Sequence, residues 1–167
     1  MDIKLAYGMR DGHIIHISDL EQSEHGVKCN CICPKCEGIL VAKLGNKYQW
    51  HFAHKNAECN VAKAQQRGLH LLAEEIIRES RSILVPELVI SRQDVMPEDC
   101  DPYIAAEVDV EMPNISSCVF EYTSVQIEKS IEDIVPDAVI SDSKTKCIVE
   151  VAVYHMLFFL NLYISKE

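Results

Sequence analysis

Apolar and polar residues alternate along 3–7 and again along 13–17, on either side of Asp11-Gly12. A period of two belongs to strands with one buried face, and Asp-Gly makes a tight turn, so a small hairpin is predicted. From Cys29 to Cys59 the pattern shortens to a knuckle at 33–36 and two brief strands, 39–43 and 47–53, around a Gly45-Asn46 turn. The period then changes. Leu69, Leu72, Ala73, Ile76 and Ile77 recur at helical spacing, which predicts an amphipathic helix over 61–80 with His70 and Glu74 sharing a different face. Strand patterns return at 83–90, 104–112 and 118–128, with a loop at 93–103 and a closing hairpin within 134–155. One helix followed by a run of strands suits an α+β or α/β core with a small cysteine-rich module in front.

The chain has 167 residues, enough for one core plus an accessory module. Its net charge of −10 argues against a protein that coats nucleic acid through bulk charge. That charge is unevenly spread. Residues 1–70 carry 9 Lys/Arg against 7 Asp/Glu, whereas residues 71–167 carry 7 against 19. Two parts with different tasks are expected, 1–60 and 61–167.

Eight cysteines would fit a disulfide-rich secreted domain if they were evenly spread behind a signal peptide. The start, "MDIKLAYGMRDG", has no apolar leader core, and four of the cysteines crowd into residues 29–36. The apolar run "MLFFLNLYI" is too short for a membrane helix. A soluble, cytoplasmic protein with a metal site is expected.

The chemistry of that site follows from spacing. Cys33-x2-Cys36 presents two thiolates on one turn, and a second pair from His51, His54 and Cys59 would close a tetrahedral zinc shell. On a strand, His51 and His54 point to opposite faces. The expected set is Cys33, Cys36, His54 and Cys59, with His51 as the alternative ligand. Four protein ligands leave no open position, so the zinc would be structural. Disulfides, or thiols beside core histidines, are the competing reading. Cys29 and Cys31 are in excess, and Cys100, Cys118 and Cys147 read as loop or core thiols.

In the closing hairpin a turn at Ser143-Lys144 pairs residues whose numbers sum to 287, which sets Asp137 opposite Glu150. Two carboxylates so placed among Val135, Val139, Ile148 and Ala152 repel unless a cation lies between them. Mg²⁺ or Mn²⁺, taking carboxylate oxygens and waters, is the natural partner. Two acids on a solvated hairpin face are the competing reading.

The blocks "CPKC", "WHFAH" followed by Cys59, "LHLLAEEII" and "PDAVI…IVEVAVYH", in that order, resemble the competence protein CoiA-like family. The resemblance covers roughly residues 29–155. It implies a zinc-ribbon-like N-terminal segment joined to a PD-(D/E)xK, restriction-endonuclease-like mixed-sheet nuclease core that acts on DNA. Asp137 and Glu150 would then be the catalytic metal ligands, and Glu74 or Glu75 an added acid. His70 matches a family histidine, with helix packing as its competing role. Two departures stand out. Ala152 occupies the lysine position of the ExK element, and the tail turns apolar where a lysine-bearing helix is expected, as if the core were incomplete.

Three readings follow. One is a Mg²⁺- or Mn²⁺-dependent DNA nuclease, active or degenerate. The second is a non-catalytic adaptor that binds nucleic acid or a partner. There Lys35, Lys43, Lys47 and Lys55, with Tyr48 and Trp50, could contact phosphates and bases, though ordinary surface lysines over packed aromatics are the simpler reading. The third is a subunit whose apolar tail, with about three large residues per turn, meets another protein or a second copy.

Overall fold

The computed structural model describes residues 3–89, 114–131, 133–154 and 157–166. The strand expected at 104–112, the loop at 93–103 and Cys100 lie outside the described residues.

The first hairpin forms from β1 (Tyr7–Arg10) and β2 (His13–His16), joined by Asp11-Gly12. Both turn residues take positive φ, 53° and 84°, the conformation that a two-residue hairpin turn needs. The first strand thus begins later than its alternation suggests. Three short 3₁₀ turns lead to β3 (Leu40–Lys43), which pairs antiparallel with β4 (His51–His54). The connection between these strands, 44–50, is longer than the Gly45-Asn46 turn expected.

Backbone bonds knit these pieces into one body. Met9 and Ile32 exchange N–H···O bonds of 2.9 Å, and the Phe52 amide donates to the Leu5 carbonyl at 2.7 Å. Their core is built from Leu5, Ile17, Leu20, Leu40, Leu44 and Phe52, with Cys29 and Cys31 buried among them.

Helix α1 (Val61–Ser80) matches its predicted span. The Asn60 side chain caps its start by accepting from the Lys63 amide at 2.9 Å. Arg81, left-handed at φ 59°, ends it. The buried stripe is Ala64, Gly68, Leu69, Glu74 and Ile77, whereas Ile76 is exposed. The periodicity located the helix but placed Ile76 on the wrong side. Ala64 joins the N-terminal core and Ile77 a second one, so one helix ties the two together.

The N-terminal hairpin docks on α1 through specific groups. Gln65 Oε1 accepts from the Ala6 amide at 2.8 Å, and Glu75 accepts from the Ile14 amide at 3.1 Å. A Cβ on Gly68 would come within 2.7 Å of Tyr7 Cβ, so only glycine lets the backbones approach this closely.

After α1 come β5 (Ser82–Val85), β6 (Leu88–Val89), β7 (Asn114–Ile115), β8 (Cys118–Glu121) and β9 (Ser124–Ile127). The single strand expected over 118–128 is two. β8 pairs with β5, whereas β9 joins another sheet. At the break, the Tyr122 hydroxyl donates to the Ile77 carbonyl at 2.6 Å and its ring fills the second core.

That sheet has the order β12-β11-β10-β9 and is antiparallel throughout, with β10 (Ala138–Ser141), β11 (Thr145–Tyr154) and β12 (Leu157–Lys166). Asp142 Oδ1 accepts from the Lys144 and Thr145 amides at 2.7 and 2.6 Å and sets the β10–β11 turn. The register that follows, Ala138↔Val149 through Ser141↔Lys146, is the expected one. Alternation puts Ala138, Ile140, Cys147 and Val149 on one face, where they form the second core with Ile77 and Tyr122. The apolar tail takes a place in the same sheet, as edge strand β12 paired along all of β11. Its spacing by helical turns is not realised. The whole is a mixed α+β arrangement of small sheets around one helix, among the described residues. No described helix is long and apolar enough to cross a membrane.

Candidate functional site

Two clusters of chemistry-bearing side chains flank α1. The first lies in the N-terminal body. The Glu37 amide donates to the Cys33 carbonyl at 2.9 Å, and the Cys33 amide donates to the Gly38 carbonyl at 2.9 Å, which closes the knuckle. The Lys35 amide points at Cys33 Sγ from 3.4 Å. Strand β4 brings His54 over the knuckle, with Nε2 3.4 Å from Cys36 Sγ. Cys59 arrives from the segment that leads into α1. The ligand atoms of Cys33, Cys36, His54 and Cys59 all lie within 4.8 Å of one another.

Four donors so close form a site that can hold a metal ion, and three sulfurs with one imidazole suit zinc. The electrostatics agree. The Gly38 amide draws the Cys36 thiol below its usual range, whereas burial and the neighbouring Cys36 and Cys33 sulfurs push Cys59 up to about 11. Without a cation the cluster cannot hold all its sulfurs as thiolates, and with one it can.

His51 is not part of this group. It lies at the other end of β4, opposite Lys43, and its Nδ1 faces the Gln49 carbonyl at 2.9 Å. Cys29 and Cys31 are core residues. The Cys31 thiol donates to the Cys29 carbonyl at 3.2 Å, and burial beside Cys29 pushes its pKa up to about 12, which leaves it inert. Cys147 is likewise buried, whereas Cys118 is exposed.

The second cluster lies where α1 packs against the end of β9, the start of β10 and the middle of β11. The Glu128 amide donates to the Asp137 carbonyl at 3.0 Å, one rung beyond the last β9–β10 pair. One rung beyond the last β10–β11 pair, the Val151 amide donates to Asp137 Oδ2 at 2.6 Å. Glu150 lies beside Asp137. Acids just beyond the end of β9, just before β10 and in the middle of β11 are thereby brought close together.

The helix adds the rest. His70 Nε2 lies 2.9 Å from Glu74 Oε1 and 3.2 Å from Asp137 Oδ1. The ligand atoms of His70, Glu74 and Glu128 lie within 4.8 Å of one another. Arg67 stands beside them, 3.9 Å from Glu74 and 3.6 Å from Glu128.

Glu74 is the buried member, with 7% of its side chain exposed. Its Oε1 has no hydrogen-bond partner among the described groups, although His70 Nε2 lies 2.9 Å away. Burial first, then Glu128 and Asp137, raise its pKa despite His70 and Arg67. Glu150 is raised as well, by burial and then by Asp137. This set of acids is short of positive charge. It opens on a cleft of about 590 Å³ lined by Gln66, Arg67, His70, Glu150, Val151, Ala152 and Val153.

Residues 15–62 match the family model described as competence protein CoiA, N-terminal domain. The N-terminal module is similar to that family's N-terminal domain. The match takes in the whole Cys/His cluster and ends in the first turn of α1, so it does not reach the sheet. No curated protein and no solved structure matches the chain.

The residues singled out in the sequence divide cleanly around this CoiA-type module. Cys33, Cys36, His54 and Cys59 converge within it, and Asp137, Glu150 and Glu74 converge outside it. Glu75, the other candidate acid, turns away from the cleft and meets His13 Nδ1 at 2.6 Å. Glu128 and Arg67 were missed. Glu128 ends an apolar-polar alternation, which is a visible signal, but its pairing with Asp137 depends on the β9–β10 register, which no local period encodes. Among the module's lysines, Lys35, Lys43, Lys47 and Lys55 are all exposed and Tyr48 is 77% exposed, whereas Trp50 packs against the core.

Proposed function

We propose that the protein is a divalent-metal-dependent nuclease that acts on DNA, with a structural zinc in the CoiA-type module. The observation that carries this reading is the approach of Glu74, Glu128, Asp137 and Glu150 around His70 and Arg67, with an unpartnered buried oxygen on Glu74, beside an open cleft that Glu150 lines. Asp137 and Glu150 would hold Mg²⁺ or Mn²⁺, and Glu74 completes the acidic set. A bound divalent ion would activate water and offset charge on a phosphodiester. The chain's own groups do the positioning. The Val151 amide fixes the Asp137 carboxylate, and His70 stands between Asp137 and Glu74 at the helix–sheet seam. The division at residue 60 separates a zinc-ribbon-like module from a PD-(D/E)xK-like core that starts with α1.

A second reading rests on Ala152. With no cation at that position the core would bind DNA or a protein partner, a second copy included, without cutting. One assay separates the two. Purified protein is incubated with linear duplex and single-stranded DNA in Mg²⁺ or Mn²⁺, beside Asp137→Ala and Glu150→Ala. Cleavage lost in both variants supports the nuclease, and cleavage that survives both removes this site from consideration. Salt-dependent binding without cleavage supports the adaptor.

A further inference from the structure

The cleft beside the acidic cluster needs a positive group if a phosphodiester is to enter it. Repulsion between a polyanion and four carboxylates is only partly offset by one divalent ion, and charge grows on the phosphoryl oxygens as the bond breaks. Strand β11 provides no such group, because Val151, Ala152 and Val153 form that wall.

The opposite wall does. Among the residues lining the cleft, Arg67 is the one with a permanent positive charge. It stands one turn before His70 on α1, so the two side chains leave the same helix face. Its side chain is 41% exposed, in reach of both solvent and the acids. The distances to Glu74 and Glu128, 3.9 and 3.6 Å, are too long for the paired hydrogen bonds of a closed arginine–carboxylate fork. The acids hold Arg67 in place without using up its donors. A guanidinium whose N–H groups make no hydrogen bond among the described residues, at the mouth of an anionic cleft, matches a phosphate.

We propose that Arg67 is the phosphate-binding residue of this cleft and supplies, from the helix, the positive charge that Ala152 cannot supply from the strand. The ligand class is a nucleic-acid phosphodiester. The catalytic half of the proposal rests on the nuclease reading; the binding half does not.

The test uses full-length zinc-loaded protein and a fluorescein-labelled single-stranded oligonucleotide, with anisotropy read in Ca²⁺ across a salt series. Arg67→Ala should weaken binding and lower the slope of log affinity against log salt by about 0.7, the value for one lost phosphate contact. Arg67→Lys keeps the charge and should keep the slope. If the protein cleaves in Mn²⁺, Arg67→Ala should lose about 10²-fold or more in kcat. Adding Ala152→Lys to Arg67→Ala should then restore at least a tenth of the wild-type rate.

A measurement on the unaltered protein covers the case in which variants misfold. Phenylglyoxal should modify Arg67 in the free protein and not in the oligonucleotide complex, with exposed Arg78 modified in both. An unchanged salt slope in Arg67→Ala, or Arg67 modified equally with and without oligonucleotide, overturns the proposal even if cleavage is observed. Absence of cleavage with a lowered slope and protected Arg67 sinks the nuclease reading and leaves the binding proposal standing.

Discussion

The two clusters on either side of α1 are built in opposite ways. The Cys/His cluster draws its donors from a stretch of 27 residues and is closed by a knuckle, one strand end and one loop. The acidic cluster draws on Arg67, His70, Glu74, Glu128, Asp137 and Glu150, across a helix, two strand ends and the middle of a third strand, and it borders a cleft. A closed shell of soft ligands suits a metal that holds a fold together. An open set of hard oxygens suits an ion that meets a substrate. On the proposed reading, one cluster is made for permanence and the other for exchange.

The sharpest way to break that contrast is to remove the first metal. Cys33→Ser with Cys36→Ser, or a strong chelator, should unfold residues 15–60, because most of a small module's folding energy comes from its metal. Trp50 fluorescence should shift to that of a solvent-exposed indole. Retention of the native spectrum after zinc loss would show that the apolar core alone holds the module.

Next in size is Gly68→Ala. The added methyl would meet Tyr7 Cβ at 2.7 Å, so the docking of hairpin on helix should lose about 1–3 kcal/mol in denaturant unfolding, despite alanine's better helix propensity. No loss would mean that the two bodies are not packed through this face.

A smaller effect of the opposite sign is expected from the acidic cluster. Glu74 has a raised pKa in the fold, so the stability linked to its proton is complete below the ordinary value near 4.5 and is lost as pH rises through the raised one. Glu74→Gln imitates the neutral acid. In zinc-loaded protein without added Mg²⁺ or Mn²⁺ it should raise the melting temperature at pH 7, lose that advantage as pH falls towards 4, and weaken the response to Mn²⁺. A destabilised Glu74→Gln at pH 7 would mean that the ionised acid is structurally paired.

The smallest shift belongs to the contact of His13 with Glu75. The Glu75 hydrogen bond raises the His13 pKa, and this stabilisation is present below about 6.5, the usual histidine value, and lost as pH rises through the raised value. Burial alone would raise Glu75, but His13 and the Ile14 amide bring it below its ordinary value, so its share is lost only at acidic pH. Wild type should lose a little melting temperature between pH 6 and 9, and His13→Ala should not.

How much of this could be read from the chain follows from the same contrast. Cys33, Cys36, His54 and Cys59 lie close in sequence, and strand alternation alone separates His54 from His51. The helix span was legible because its period is sustained and Asn60 caps it. Asp137 and Glu150 were legible because a two-residue turn fixes register arithmetic. Glu128 and Arg67 were not, because helix-to-sheet packing and the path from β9 to β10 are tertiary matters that no local period encodes. The break at Tyr122, where one alternating run serves two sheets, was hidden for the same reason. The tail's apolar run could not by itself tell strand from helix, and pairing with β11 decided it.

The central claim is that one chain holds two metal sites of different kinds. Calorimetric titration of Mn²⁺ into zinc-loaded protein, with zinc content measured before and after, tests it most directly. Wild type should take up Mn²⁺ with zinc unchanged, and Asp137→Ala should lose the Mn²⁺ site while it keeps one equivalent of zinc. Equal Mn²⁺ binding by wild type and Asp137→Ala, or Mn²⁺ uptake only as zinc leaves, would contradict it.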